Sequence, residues 1–168
     1  MRLGWVKTER TDDEVFVTID PGISTGWALW LGDALVACGV GDPRACSLHV
    51  VKSPHMSVNV VDDVWIESQV IYPRSKVPPN DIVKLAHDAG RWAGRYDVLG
   101  VAVHWVEPAR WKGQVPKDIH HARVWAELDN DEKDRVNLSL KGVAPSKRHN
   151  ALDAIGLGCW VRKTGGGL

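Results

Sequence analysis

Three acidic residues stand where a carboxylate is costly. Asp20 closes the apolar run Val15-Phe16-Val17-Thr18-Ile19, and Glu67 closes Asp63-Val64-Trp65-Ile66. Asp153 interrupts the apolar stretch from Ala151 to Gly158. Apolar segments carry such acids into semi-buried positions, and a buried carboxylate is unfavourable unless it is paired or bound to a cation. Three of them meeting at one sheet edge would repel each other. Hard divalent ions such as Mg²⁺ or Mn²⁺ take oxygen ligands of this kind. Two such ions, about 3.5–4 Å apart, activate a water and stabilise the leaving oxygen in phosphodiester cleavage. Taken singly, each acid has a plainer reading. Asp20 before Pro21-Gly22 starts a turn, Glu67 is a strand-end surface residue, and Asp153 pairs with Arg148 or caps a loop.

His149 and Asn150 precede Asp153 by four and three residues, so on a helix both share its face. Either could assist a metal site, position an attacking water or contact the scissile phosphate, and either could be an ordinary polar residue of a first helical turn. His120-His121 are sequence neighbours that point apart on a helix, and they read as surface or DNA-facing residues, not as a metal site. Lys112 on a loop and Lys117 at a helix start suit phosphate neutralisation, with binding that weakens as salt rises. Arg110, Arg74 and Lys76 are further candidates for that task. Tyr72 either stacks on an exposed base or packs its own loop.

The elements that must position these residues follow from pattern. Residues 15–20, 27–31 and 34–40 read as an antiparallel meander, joined by the turns Pro21 to Gly26 and Gly32-Asp33. A fourth strand spans 63–67 and a fifth 100–106. Between them a helix opens at Pro79 or Asn80 and runs to about Tyr96, with Ile82, Leu85, Ala86, Ala89 and Ala93 on one stripe. Residues 108–114 read as a loop, and Pro116 begins a helix to about Leu128. The charged stretch 129–135 continues as helix or turn. Ser146 is a candidate cap for a last helix from Lys147 to about Arg162. This order predicts an α/β domain with a mixed five-stranded sheet and helices on both faces.

The chain has 168 residues, which fits one domain over 1–168, with about 1–14 and 163–168 expected to be loose. No apolar run is long enough for a membrane span, and the charged start lacks a secretory core, so a cytoplasmic setting is expected. Cys38, Cys46 and Cys159 form no C-x-x-C pair and read as free thiols. The formal net charge is zero, which at first disfavours a nucleic-acid partner. Residues 72–123, however, carry nine Lys and Arg against five Asp and Glu, a local basic excess that is either a solvated face or a DNA path. Nine Trp is many for this length, so they must serve both core and surface. Trp27, Trp65 and Trp105 are expected to fill the core, and Trp92, Trp111, Trp125 and Trp160 to pack helices or a dimer face.

Several of these segments carry a resemblance. Val17-Thr-Ile-Asp-Pro-Gly-Ile-Ser-Thr-Gly-Trp-Ala resembles the first strand and turn of RuvC-like Holliday junction resolvases. Trp65-Ile-Glu-Ser-Gln-Val-Ile is similar to that family's second acidic strand. Val106-Glu-Pro-Ala-Arg-Trp-Lys-Gly-Gln-Val-Pro-Lys resembles its later strand-loop-helix, and His149-Asn-Ala-Leu-Asp-Ala-Ile-Gly-Leu-Gly its last helix. The short linkers and the Trp111 to Lys117 segment are most similar to phage-encoded members, for which the setting would be a host bacterial cytoplasm.

The resemblance implies an RNase H-like fold, two Mg²⁺ per active site with Mn²⁺ able to substitute, and a homodimer that nicks two strands of a four-way junction. It matches Asp20, Glu67 and Asp153 to the family's acidic triad, and Lys112 and Lys117 to two lysines along the DNA backbone. The family's fourth catalytic position, an Asp or His, falls on Asn150, with His149 one residue earlier. His149 is the preferred holder of that role because it can carry a proton near neutral pH, whereas Asn150 can only donate a hydrogen bond or a weak metal contact. Competing readings are another RNase H-like nuclease acting on flaps, branched DNA or RNA–DNA hybrid, an actin-like nucleotide-binding fragment, and a catalytically silent DNA-binding module.

Overall fold

Side chains alternate between the two faces of a strand, and here both faces are apolar, so the sheet must be covered twice. The computed structural model describes residues 11–41, 61–70 and 77–166. Strands β1 (Val15–Asp20), β2 (Gly26–Leu31) and β3 (Ala34–Val40) form the antiparallel meander. On the other side of β1, β4 (Asp63–Glu67) and β5 (Ala102–Val106) run parallel to it. The order across the sheet is β3-β2-β1-β4-β5. One face packs Val15, Val17, Ile19, Val64 and Ile66 against Ala89, Trp92 and Tyr96 of α1 (Pro79–Asp97). The other packs Phe16, Trp30 and Trp65 against α3 (Lys117–Glu127), α4 (Asn130–Ser139) and α5 (Arg148–Thr164). The fold is therefore α/β, with a mixed five-stranded sheet and helices on both faces, as the sequence pattern predicts.

Several elements differ from the sequence pattern. The loop after β5 contains a one-turn helix, α2 (Pro108–Trp111), opened by Pro108. The charged stretch after Leu128 is a separate helix, α4, because Asp129 and Glu132 form a capping box: the Glu132 amide donates to Asp129 and the Asp129 amide donates to Glu132. Ser146 does not cap the last helix; it lies in the single 3₁₀ turn Pro145–Lys147 that leads into α5. Residues 163–166, expected to be loose, instead complete α5 and turn back so that Gly166 is buried beside the Trp65 ring. Trp105 is 45% exposed and not a core residue, because β5 is an edge strand. Trp27 and Trp65 are core as expected. Cys38 and Cys159 are free and buried, which pushes both thiols up to about 12; Cys46 lies outside the described residues.

Two features fix α5 and α4 on the sheet. Thr18, inside β1, donates to the Ala154 carbonyl at 2.8 Å and accepts from the Trp30 indole at 3.2 Å. At the open edge, Leu35 of β3 donates its amide to Glu132 at 2.9 Å and accepts at its carbonyl from Arg135 at 2.8 Å. Arg162 of α5 pairs with the same buried Glu132 at 3.0 Å, which compensates its charge.

Candidate active site

Phe16, Thr18 and Asp20 share one face of β1, and Trp65 and Glu67 share the same face of β4. Ile19 pairs with Ile66 in the parallel register, so Asp20 and Glu67 are the next residues on adjacent strands at one level of the sheet. Asp153 reaches that level from α5, one residue before the carbonyl that Thr18 holds. The approach depends on Gly26. A Cβ there would stand 1.9 Å from the Asn150 carbonyl oxygen, so only glycine lets the first turn of α5 lie on β2.

The electrostatics follow from burial. Glu67 and Asp153 are buried, at 6% and 5% exposure. Burial, then the charges of Glu67 and Asp153, hold the Asp20 carboxyl well above its ordinary value, against the opposing pull of Lys112 and Lys117. Burial also raises Glu67, although the Lys112 ammonium 2.7 Å away and the Trp111 indole, donating at 3.0 Å, counter it. Asp153 ends below its ordinary value. Burial pushes it up, but Lys117 at 2.9 Å and His121 at 3.0 Å outweigh that. Burial alone would lower the Lys112 ammonium, and Glu67 with the other two acids more than reverses this.

Asp20, Glu67, Asp153, Lys112 and Lys117 thus come together in one cluster. Asp153 pairs with Lys117 and His121 and not with Arg148, whose guanidinium donates to the Val143 carbonyl. His149 and Asn150 are half-buried in the first turn of α5; among the described residues neither side chain hydrogen-bonds to the acids. Arg110 is exposed on α2. Arg74, Lys76 and Tyr72 lie outside the described residues.

Two contributors were not read from the pattern, and the surface reading of the histidine pair is corrected. His121 binds Asp153, and its helical spacing of four from Lys117 was the available signal, since such pairs share a face. His120 is buried edge-on to the Trp111 ring at 5.0 Å, and burial lowers its pKa. Trp111, which aims Glu67, carried no pattern signal, because an indole donor to a carboxylate depends on a tertiary approach.

Three carboxylates with mutually unfavourable charge are the donor set a hard divalent ion suits. Among the described residues no group of three His, Cys, Asp or Glu side chains forms a ready ligand shell. Lys112 pairs with Oε2 of Glu67 and Lys117 with Oδ2 of Asp153, and they supply the neutralising charge. The donors fit such an ion in kind, with the two ammonium groups as its competitors.

The chain is similar to RuvC. The structure of Thermus thermophilus RuvC in complex with Holliday junction substrate shares 18% identity and a TM-score of 0.42, covering 90% of this chain and 96% of that one. A second Thermus thermophilus RuvC structure shares 18% identity and a TM-score of 0.40, covering 90% and 97%. No family model and no curated protein matches the chain in sequence. No helix among the described residues is long and apolar enough to cross a membrane.

Proposed function

We propose that this protein is a metal-dependent, structure-selective DNA endonuclease that resolves four-way junctions by paired symmetric nicks. The observation that carries the reading is the cluster of half-buried Asp20 with buried Glu67 and Asp153 at one level of the sheet, with Lys112 and Lys117 against it. Asp20, Glu67 and Asp153 would hold two Mg²⁺, for which Mn²⁺ would substitute. When bound, such ions supply an activated water and stabilisation of the leaving oxygen.

The chain's own residues do the rest. Trp111 and His121 aim Glu67 and Asp153 by direct hydrogen bonds. Lys117, whose side chain is 55% exposed, swings to a backbone phosphate, and Lys112 marks the floor of the same path. His149, on the face of α5 that carries Asp153, serves as the proton carrier, with Asn150 donating a hydrogen bond. Paired cuts need two sites, hence a homodimer.

The test is a labelled four-way junction beside linear duplex, flap and RNA–DNA hybrid, each in Mg²⁺, Mn²⁺ or EDTA. Paired nicks in the junction alone are expected, lost in EDTA and in Asp20→Asn while junction binding remains. Wild-type cleavage by Asp20→Asn would sink the assignment of the acids. Equal cutting of flap or hybrid would move the substrate, and tight binding with no cutting would favour a silent binding module.

A further inference from the structure

A cleft of about 180 Å³ opens between α3, α5 and Trp111, and it shares Trp111 and Lys112 with the acidic cluster. Its floor is buried: His120, Val124, Gly156 and Cys159. Its sides are the half-buried rings of Trp111 and Trp160. Its rim is charged, with Lys163 paired to Glu127 at 2.6 Å and an exposed Arg123 that makes no ion pair among the described residues. Glycine at 156 lets His120, Trp111 and Val124 pack directly onto the backbone of α5 at the cleft floor. A Cβ there would come within 2.9 Å of His120, Trp111 and Val124 atoms at once. His120 is nine-tenths buried, and its Nε2 has no hydrogen-bond partner among the described residues.

An apolar, ring-walled floor under a cationic rim matches one class of guest. A flat heterocycle gains from the indole walls, its edge offers donors and acceptors to an unsatisfied imidazole, and its phosphate goes to the rim. A base pair inside a duplex cannot enter a recess of this size, so the guest is unpaired. We propose that this cleft receives one unpaired nucleotide of the DNA strand that reaches the acidic cluster, its base against Trp111 and Trp160 and its phosphate on Arg123 and Lys163. The proposal rests on the endonuclease reading and deepens it: a substrate would be selected partly by having a base free to leave its stack near the cut.

The experiment uses the full chain in EDTA with a four-way junction carrying 5-iododeoxyuridine near its centre. Ultraviolet adducts are mapped by mass spectrometry. Adducts on Trp111 or Trp160 are expected, and Arg123→Glu should bind a single-stranded oligonucleotide about tenfold more weakly, with a shallower salt dependence. Adducts confined to other parts of the chain, or unchanged oligonucleotide affinity in folded Arg123→Glu, overturn the cleft assignment. Cleavage in Mg²⁺ is scored separately. Cleavage without adducts in the cleft keeps the nuclease and removes the cleft, whereas adducts without cleavage keep a single-strand site and remove the nuclease.

Discussion

Burial and the carboxylates of Glu67 and Asp153 raise the Asp20 carboxyl, with the two lysines acting in the opposite direction. The folded chain therefore holds this proton more tightly than the unfolded chain, whose Asp titrates near the ordinary 3.8. Between that value and the raised one, the folded state binds more protons, so its stability falls as pH rises. Asp20→Asn removes the ionisation. Without metal, at neutral pH, it should melt a few degrees above the wild type, the shift that about 1 kcal/mol gives in a domain of this size. Below the ordinary carboxylate range the difference should vanish. Thermal melts of both proteins across pH in EDTA check this, and identical curves at neutral pH would refute it. The three acids were legible in the sequence because a charge inside an apolar run is conspicuous. Their partners were less so: Lys112 and Lys117 read as phosphate contacts, and nothing local showed that they also close on Glu67 and Asp153.

Among the elements, the position of α5 is set by contacts that tolerate little change. Gly26 meets the Asn150 backbone, which cannot move aside as a side chain can. Gly26→Ala should cost about 1–3 kcal/mol of stability by overpacking and withdraw Asp153 from the other acids. Denaturant unfolding and the cleavage rate measure the two effects, and wild-type values for both would show that β2 yields instead. The five strands and the two long helices were legible because β-branched runs and helical spacing are local signals. The start of α4 was equally available in Asp129-x-x-Glu132. The one-turn α2 and the 3₁₀ entry to α5 were not, because such short pieces draw their order from the packing around them.

For the whole molecule, a net charge of zero leaves no long-range attraction for a polyanion. Binding then depends on where the cations stand, and the local basic excess of residues 72–123 includes both Lys112 and Lys117. Lys117→Ala should reduce the slope of log affinity against log salt by about one unit, for junction and duplex alike. Anisotropy titrations at several salt concentrations give that slope, and an unchanged value would mean that Lys117 serves Asp153 alone. The charge bias was legible in the sequence; the pairing of Lys112 and Lys117 with Glu67 and Asp153 was not, since it needs the tertiary cluster. The tie between β3 and α4 has a consequence of another kind. Sheet edges invite strands from neighbouring molecules, and aggregation begins where their amides and carbonyls are free. At Leu35 both groups are already engaged, by Glu132 and Arg135 from a helix about a hundred residues further along the chain. At that rung a neighbouring strand finds no free partner, so the helix that completes the core also blunts the edge against strand-by-strand aggregation.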